Sequence, residues 1–252
     1  MSQPVSLYIL TCNSAWYLPL ILERSQTLAD EILILDSGST DNTLSVAESF
    51  GCRILFRPFD NFRNQRAYAI AQCSHPWVLS FDSDEVPSEE LAQAINRLKQ
   101  TAFQHDAYTI RRDWWVLGKK VHVMYPVVSP DYPIRLFNRQ WVSYDERSTA
   151  VHETPHGYTS LGQIEAPLHH YTFHTAEELK TKLDLYTTIA ARDLHEQQKP
   201  ITWFKLFASP VAAWFKWYVI KGGWKDGRTG FTLAKYVFDY TRLKYLKARQ
   251  LR

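Results

Sequence analysis

The chain has 252 residues, 45% of them hydrophobic, with 29 Lys/Arg, 26 Asp/Glu and a net charge of +3. That composition fits a soluble globular protein with one large domain, or one domain and an appendage. No apolar run reaches the ~20 residues needed to span a bilayer, and the first residues lack a basic region leading into an apolar core, so neither a spanning helix nor a signal peptide is expected.

Val5 to Leu10 is an apolar run of strand length ending in Thr11-Cys12-Asn13, and Leu18, Ile21, Leu22, Ser25 and Leu28 then form one helical stripe. A second buried strand, 31–35, runs into Asp36-Ser-Gly-Ser-Thr-Asp41. Ser39 or Thr40 is expected to cap the helix carrying Leu44, Ala47 and Phe50, and Gly51 to end it. A third strand is expected at 53–56 and a helix through 67–72. The fourth strand, 77–82, ends in Asp82-Ser-Asp84-Glu85. Such alternation predicts an α/β fold, with a mostly parallel sheet joined by right-handed crossovers and flanked by helices.

Thr11, Asn13, Asp36, Gly38 and Asp82 all follow strands and so fall on one sheet edge, where open α/β sheets bind ligands. Ser37 and Gly38 are small enough for a ligand to approach the backbone. Asp82 and Asp84 lie one residue apart and repel each other, which favours a bound cation. Hard oxygen ligands suit Mg²⁺ or Mn²⁺, which also bridge to substrate phosphates. Taken alone, a D-x-D triplet reads first as a solvated loop capping the next helix, and Asp36-Ser-Gly-Ser as an ordinary turn; their joint occurrence favours the site.

The four pieces Thr11-Cys-Asn13, Asp36-Ser-Gly-Ser-Thr-Asp41, Asn64-x-Arg66 and Phe81-Asp-Ser-Asp-Glu85 resemble, in that order, the inverting family-two glycosyltransferases of the GT-A fold. The resemblance covers roughly residues 5–100. It implies a nucleotide-sugar donor, a UDP-sugar by family habit, and a divalent cation. By position, Thr11, Asn13 and Asp36 would hold the nucleotide. Asp82 would face ribose or metal, Asp84 would reach the diphosphate through the metal, and Arg66 would stand close to the donor.

Pro87, Ser88 and Glu90 open a helix with Leu91, Ile95 and Leu98 on its stripe, and 107–112 and 132–137 read as strands. The aromatic stretch between those strands, 113–131, suits a mobile acceptor loop. Arg135-Leu-Phe-Asn138, Val151-His-Glu153 and Leu168-His-His-Tyr171 are similar to a narrower branch, the lipopolysaccharide-core β-glucosyltransferases and their relatives. Inverting transfer needs a base for the acceptor hydroxyl, and Glu153 is the candidate, with Asp145 and Glu146 in reserve. An ion pair with an arginine is the alternative role for Glu153. His170 is a candidate third metal ligand or a hydrogen-bonded structural residue, and His152 and His169 are weaker candidates.

Thr175 through Gln197 is an amphipathic helix, with Leu179, Leu183, Tyr186, Ala190 and Leu194 on one face. A further helix is expected to start at Ser209-Pro210, and a last one to carry Phe231 to Tyr245. From Lys216 onward, ten Lys/Arg stand against Asp226 and Asp239, a local +8. Aromatic and basic residues interleaved on helices suit an anionic membrane surface, with a helical hairpin packed on the core as the alternative, and a nucleic-acid partner is not expected. The same branch has a similar C-terminal region, with a Gly-x-x-x-Asp-Gly-Arg pattern near Gly222/Gly223 to Arg228. The division expected is a catalytic domain at 1–174 and a helical, membrane-associating region at 175–252. Three cysteines without metal-like spacing (Cys12, Cys52, Cys73) fit a reducing cytoplasm. The reading is a metal-dependent inverting transferase acting on a lipid-linked saccharide at the inner membrane face. A polyprenyl phosphate or protein acceptor, a non-catalytic membrane-peripheral protein and an aspartyl-phosphate phosphohydrolase are the alternatives.

Overall fold

The computed structural model of the protein describes residues 2–144, 154–198 and 200–251. In chain order the elements are β1 (Val5–Thr11), α1 (Leu18–Ser25), β2 (Glu31–Asp36), α2 (Thr43–Ser49), β3 (Arg53–Phe56), α3 (Phe62–Gln72), β4 (Trp77–Asp82), β5 (Glu85–Pro87) and α4 (Glu89–Thr101). They continue with β6 (Ala107–Val116), β7 (Lys119–Lys120), β8 (Val123–Met124), β9 (Val127–Val128), β10 (Ile134–Asn138), β11 (Leu161–Thr172), α5 (Ala176–Glu196), α6 (Trp203–Phe215) and α7 (Gly227–Gln250). Two compact units are distinguishable: residues 1–112 with 132–170, and residues 113–131 with 171–252. The stretch 113–131, expected to serve as an acceptor loop beside the catalytic sheet, thus belongs to the same unit as the C-terminal helices.

In the first unit the sheet order is β3-β2-β1-β4-β10-β6-β11-β5. The β3-β2-β1-β4 half is parallel, as strand–helix alternation requires, and β10 turns the sheet antiparallel against β4. Val5, Leu7, Tyr8 and Ile9 of β1 are fully buried, as the unbroken apolar run demands of a central strand. Tyr8, Leu33, Leu35, Val78 and Phe137 form the core with Ala69 and Ile70 of α3. The buried Tyr8 hydroxyl accepts a 2.7 Å hydrogen bond from Ser80, so no bare polar atom enters this core. Parallel register sets Thr11 beside Asp36 and Leu10 beside Asp82. Three strands therefore deliver their last side chains to one edge.

Helix starts follow local chemistry. Ser88 caps α4 by accepting from the Leu91 amide at 3.1 Å, with Glu89 and Glu90 in the first turn. The expected Ser39 or Thr40 cap of α2 is not used: α2 starts after Asn42, and Asp41 accepts from the Thr43 amide instead. Ser39 Oγ donates to Asp36 and accepts from the Asn13 amide, so it is engaged away from the helix.

In the second unit, Val116, Val121, Met124, Phe173, Leu179, Leu233 and Tyr236 form a separate apolar cluster. Asp226 accepts from the backbone amides of His122 and Val123, at 2.8 and 3.1 Å. A Cβ on Gly230 would stand 1.8 Å from the Gly223 carbonyl oxygen, so only glycine fits there. The α6 helix begins at Trp203, seven residues earlier than the Ser209-Pro210 signal suggests. Thr202 caps it, and Pro210 is carried inside. A π-helical turn, Lys216–Ile220, continues it.

Candidate functional site

The loop after β2 is built around Asp36. Its Oδ1 accepts from the hydroxyls of Thr11 (2.8 Å) and Ser39 (2.5 Å), and its Oδ2 from the amides of Gly38 and Ser39 (both 2.8 Å). Burial pushes this carboxyl up, but the donors on Ser39, Gly38 and Thr11 outweigh it and hold the group below its ordinary value. Gly38 has φ +108°, a conformation that L side chains rarely adopt. Asn13, itself left-handed at φ 51°, accepts from the Thr40 and Asp41 amides through its side-chain oxygen. Thr11, Asn13, Asp36 and Gly38 are thus brought together as expected. In this arrangement their polar groups hold one another and fix the shape of the loop.

A second cluster forms where β4 ends. Asp82 Oδ1 pairs with Arg66 at 2.6 Å and Oδ2 with Arg135 at 2.7 Å. Glu85 is wholly buried. Its Oε1 accepts from Arg135 (2.6 Å) and Arg112 (2.8 Å), and its Oε2 from the Asp82 amide (3.1 Å). Burial opposes the charge on Glu85, but Arg135, His170 and Arg112 hold its carboxyl well below the usual range. The same contest at Asp82, with Arg66 and Arg135 against burial and Glu85, also ends below the ordinary value. His170 Nδ1 lies 3.4 Å from Asp84 and 3.7 Å from Glu85; burial lowers the imidazole's pKa, yet Asp84 and Glu85 raise it further than that. Arg66, Asp82, Asp84, Arg112, Arg135 and His170, with Leu10, Phe62, Ser83 and Pro133, line a cavity of about 530 Å³, and Glu85 is buried behind the arginines.

An adjoining cavity of about 420 Å³ is lined by Leu10, Thr11, Cys12, Ser37, Phe59, Phe62, Gln65 and Ser83. Phe59 and Phe62 meet edge to face, with centroids 4.9 Å apart, and both rings stay half in water. The Gln65 amide donates to Ser37 Oγ and to the Arg57 and Pro58 carbonyls, tying this wall to the β2 loop. One cavity is therefore charged and the next aromatic, along the same sheet edge.

Among the described residues no three His, Cys, Asp or Glu side chains form a cation cage. Mg²⁺ or Mn²⁺ does not require one when one or two protein ligands are completed by water and phosphate oxygens. Asp84 faces the charged cavity beside His170, so these two fit such a cation. Asp82 fits it less well than the sequence suggests, because both its oxygens are committed to arginines. Arg66 is buried, turned onto Asp82 and part of the cavity lining, so it is not a surface charge. Glu153, Asp145, Glu146 and His152 lie outside the described residues.

Sequence reasoning passed over Arg112 and Arg135 as site residues and took Glu85 only as part of an acidic run. The signal for Arg135 was present. A cation inside the apolar run Ile134-Arg-Leu-Phe137 must find an anion if that strand is buried.

The chain is 25% identical over 269 residues to an uncharacterized glycosyltransferase of Rickettsia conorii, spanning 100% of this chain and 91% of that one. It is 28% identical over 247 residues to the lipopolysaccharide core biosynthesis glycosyltransferase LpsC of Rhizobium meliloti, spanning 93% and 89%. Among solved structures, S. aureus TarS 1–349 in complex with UDP-GlcNAc is similar at a TM-score of 0.49 and 14% identity, over 99% of this chain and 93% of that one. The model of glycosyl transferase family 2 matches residues 6–151, more than half of the sequence, and the chain belongs to that family.

Proposed function

We propose that this glycosyltransferase moves a sugar, with inversion, from a UDP-sugar to a lipid-linked saccharide of the lipopolysaccharide-core type, with a divalent cation as cofactor. The reading rests above all on the convergence of Asp82, Asp84 and Glu85 with Arg66, Arg112 and Arg135 around one cavity at the carboxyl edge of the parallel strands. The likeness to LpsC supports the acceptor class. Guanidinium groups held in place by carboxylates suit a diphosphate, whose oxygens they contact with little reorganisation. The half-exposed Phe59 and Phe62 rings suit the flat face of a nucleobase, over a floor fixed by Asp36 and Asn13.

Asp84 and His170 would hold Mn²⁺ or Mg²⁺. A bound cation would neutralise the charge that develops on the departing diphosphate. Arg66 and Arg135, steadied by Asp82, would orient that diphosphate, and Glu85 keeps Arg112 and Arg135 extended toward it. Glu153 is assigned as the base that takes the acceptor hydroxyl's proton, on the strength of the Val151-His-Glu153 motif and the need of inverting transfer for such a group. Catalysis is assigned to residues 1–174 and membrane association to 175–252, on the cytoplasmic face of the inner membrane.

Thermal stabilisation by a panel of nucleoside diphosphates and sugar nucleotides, with Mn²⁺ and with EDTA, tests the reading. A ligand at 100 times its dissociation constant adds about 2.7 kcal/mol to the folded state. A Mn²⁺-dependent rise with UDP or a UDP-sugar, lost in Asp84→Ala, is expected. A flat panel would overturn the donor assignment.

A further inference from the structure

The second unit carries an apolar face that its own core does not use. Among the described residues, nine of 21 exposed large hydrophobic side chains fall between Trp203 and Phe231. Five of them, Trp203, Phe204, Phe207, Val211 and Phe215, are 51–74% exposed and share one side of α6 at three- and four-residue spacing, while Leu206 and Pro210 face inward. With the π-helical turn that continues it, α6 runs from Trp203 to Ile220, at most about 27 Å at 1.5 Å per residue and with Lys205 and Lys216 inside it, short of a ~30 Å hydrocarbon core. No described helix is long and apolar enough to cross a membrane.

Along the segment that carries this face the charges have one sign, and the acid in the adjoining groove, Asp239, is paired with Lys235 at 2.6 Å. Residues 201–225 contain Lys205, Lys216, Lys221 and Lys225 and no acid. The next acid, Asp226, is engaged with the backbone amides of His122 and Val123. Beside the stripe, a groove of about 530 Å³ between α6 and α7 is walled by Val211, Trp214, Phe231 and Phe238, with the paired Lys235 and Asp239 at its edge.

We infer that α6 lies in the plane of an anionic membrane, with the Trp203-Phe204-Phe207-Val211-Phe215 face inserted at the depth of the acyl-chain boundary and the lysines at phosphate level. A helix of this length, apolar face and lysine content matches interfacial insertion and not spanning. A second copy of the chain fits poorly: a self-complementary contact would bring lysine against lysine with no acid within the segment to pair. The inference deepens the membrane part of the proposed function and is independent of the donor site.

The test is flotation of the full chain with vesicles of phosphatidylcholine alone or with roughly a third phosphatidylglycerol. Binding to the anionic vesicles is expected, at least about tenfold weaker without phosphatidylglycerol or in high salt. The double variant Phe204→Asp, Phe207→Asp should lower it by at least about tenfold, with circular dichroism and melting temperature unchanged. Brominated lipids should quench tryptophan emission in the parent more than in a Trp203→Leu variant. A double variant that floats like the parent would overturn the inference. So would a parent that stays in solution, whether as a monomer or as a dimer that the same variant dissociates in sedimentation equilibrium. Loss of UDP stabilisation with vesicle binding intact would sink the donor reading and leave this one standing.

Discussion

The sheet edge of the first unit takes Arg66, Arg135 and Glu85 out of water, whereas α6 in the second leaves five large apolar side chains in it. The two arrangements resolve the same solvation problem in opposite directions. Buried charge is costly, but here each buried group meets an opposite charge at 2.6–2.8 Å, so the charges are paired within the fold even though Arg135 Nε is left without a partner. Exposed aromatic surface has no such internal answer and finds one only on contact with something apolar. Removing a side chain from the sheet edge should therefore injure the fold, and removing one from α6 should injure only association.

The largest effect is expected at Arg135. Arg135→Ala leaves Asp82 and Glu85 each short of a partner, and the loss should be about 3–5 kcal/mol in a urea melt. A loss under ~1 kcal/mol would mean that water enters the cluster freely and that the contrast with α6 is false. Asp36→Ala removes the acceptor from two amides and two hydroxyls and should lose about 1–3 kcal/mol.

Because the Asp36 carboxyl is depressed in the folded state, its contribution is full above the unfolded value near ~3.9 and fades as pH falls through the lower folded value. Asp36→Asn should accordingly flatten the acid limb of the stability–pH curve, and an unchanged limb would refute this part. Asp84, partly exposed, should cost about 1 kcal/mol or less as Asp84→Asn, yet abolish the cation-dependent part of UDP stabilisation. Phe207→Ser on the open face of α6 should stay within about 0.5 kcal/mol of the parent. A large loss there would show that the face packs inside the fold.

The sequence makes the parallel half of the sheet readable because apolar runs of strand length alternate with helical stripes, and polar residues mark each strand's end. The family match bears out the expected GT-A class of fold. The two arginines are harder to read because Glu85 meets Arg112 27 residues later and Arg135 50 residues later. No local pattern encodes such pairings. The role of Asp36 is obscured for a similar reason: an acid after a strand looks ready for a ligand until its four donors are counted. At α6, Ser209-Pro210 imitates a helix start. Thr202 supplies the actual cap, and the helix runs through Pro210.

The two amides held by Asp226 belong to residues 104 and 103 positions earlier in the chain. During synthesis, residues 113–131 leave the ribosome long before the carboxylate that organises them exists. The first unit is complete in sequence at residue 170, while the second still lacks its keystone and the whole of α7. A nascent chain stalled before Asp226 should therefore hold a finished sheet and an unsettled 113–131 segment, and only the last 27 residues close the second unit.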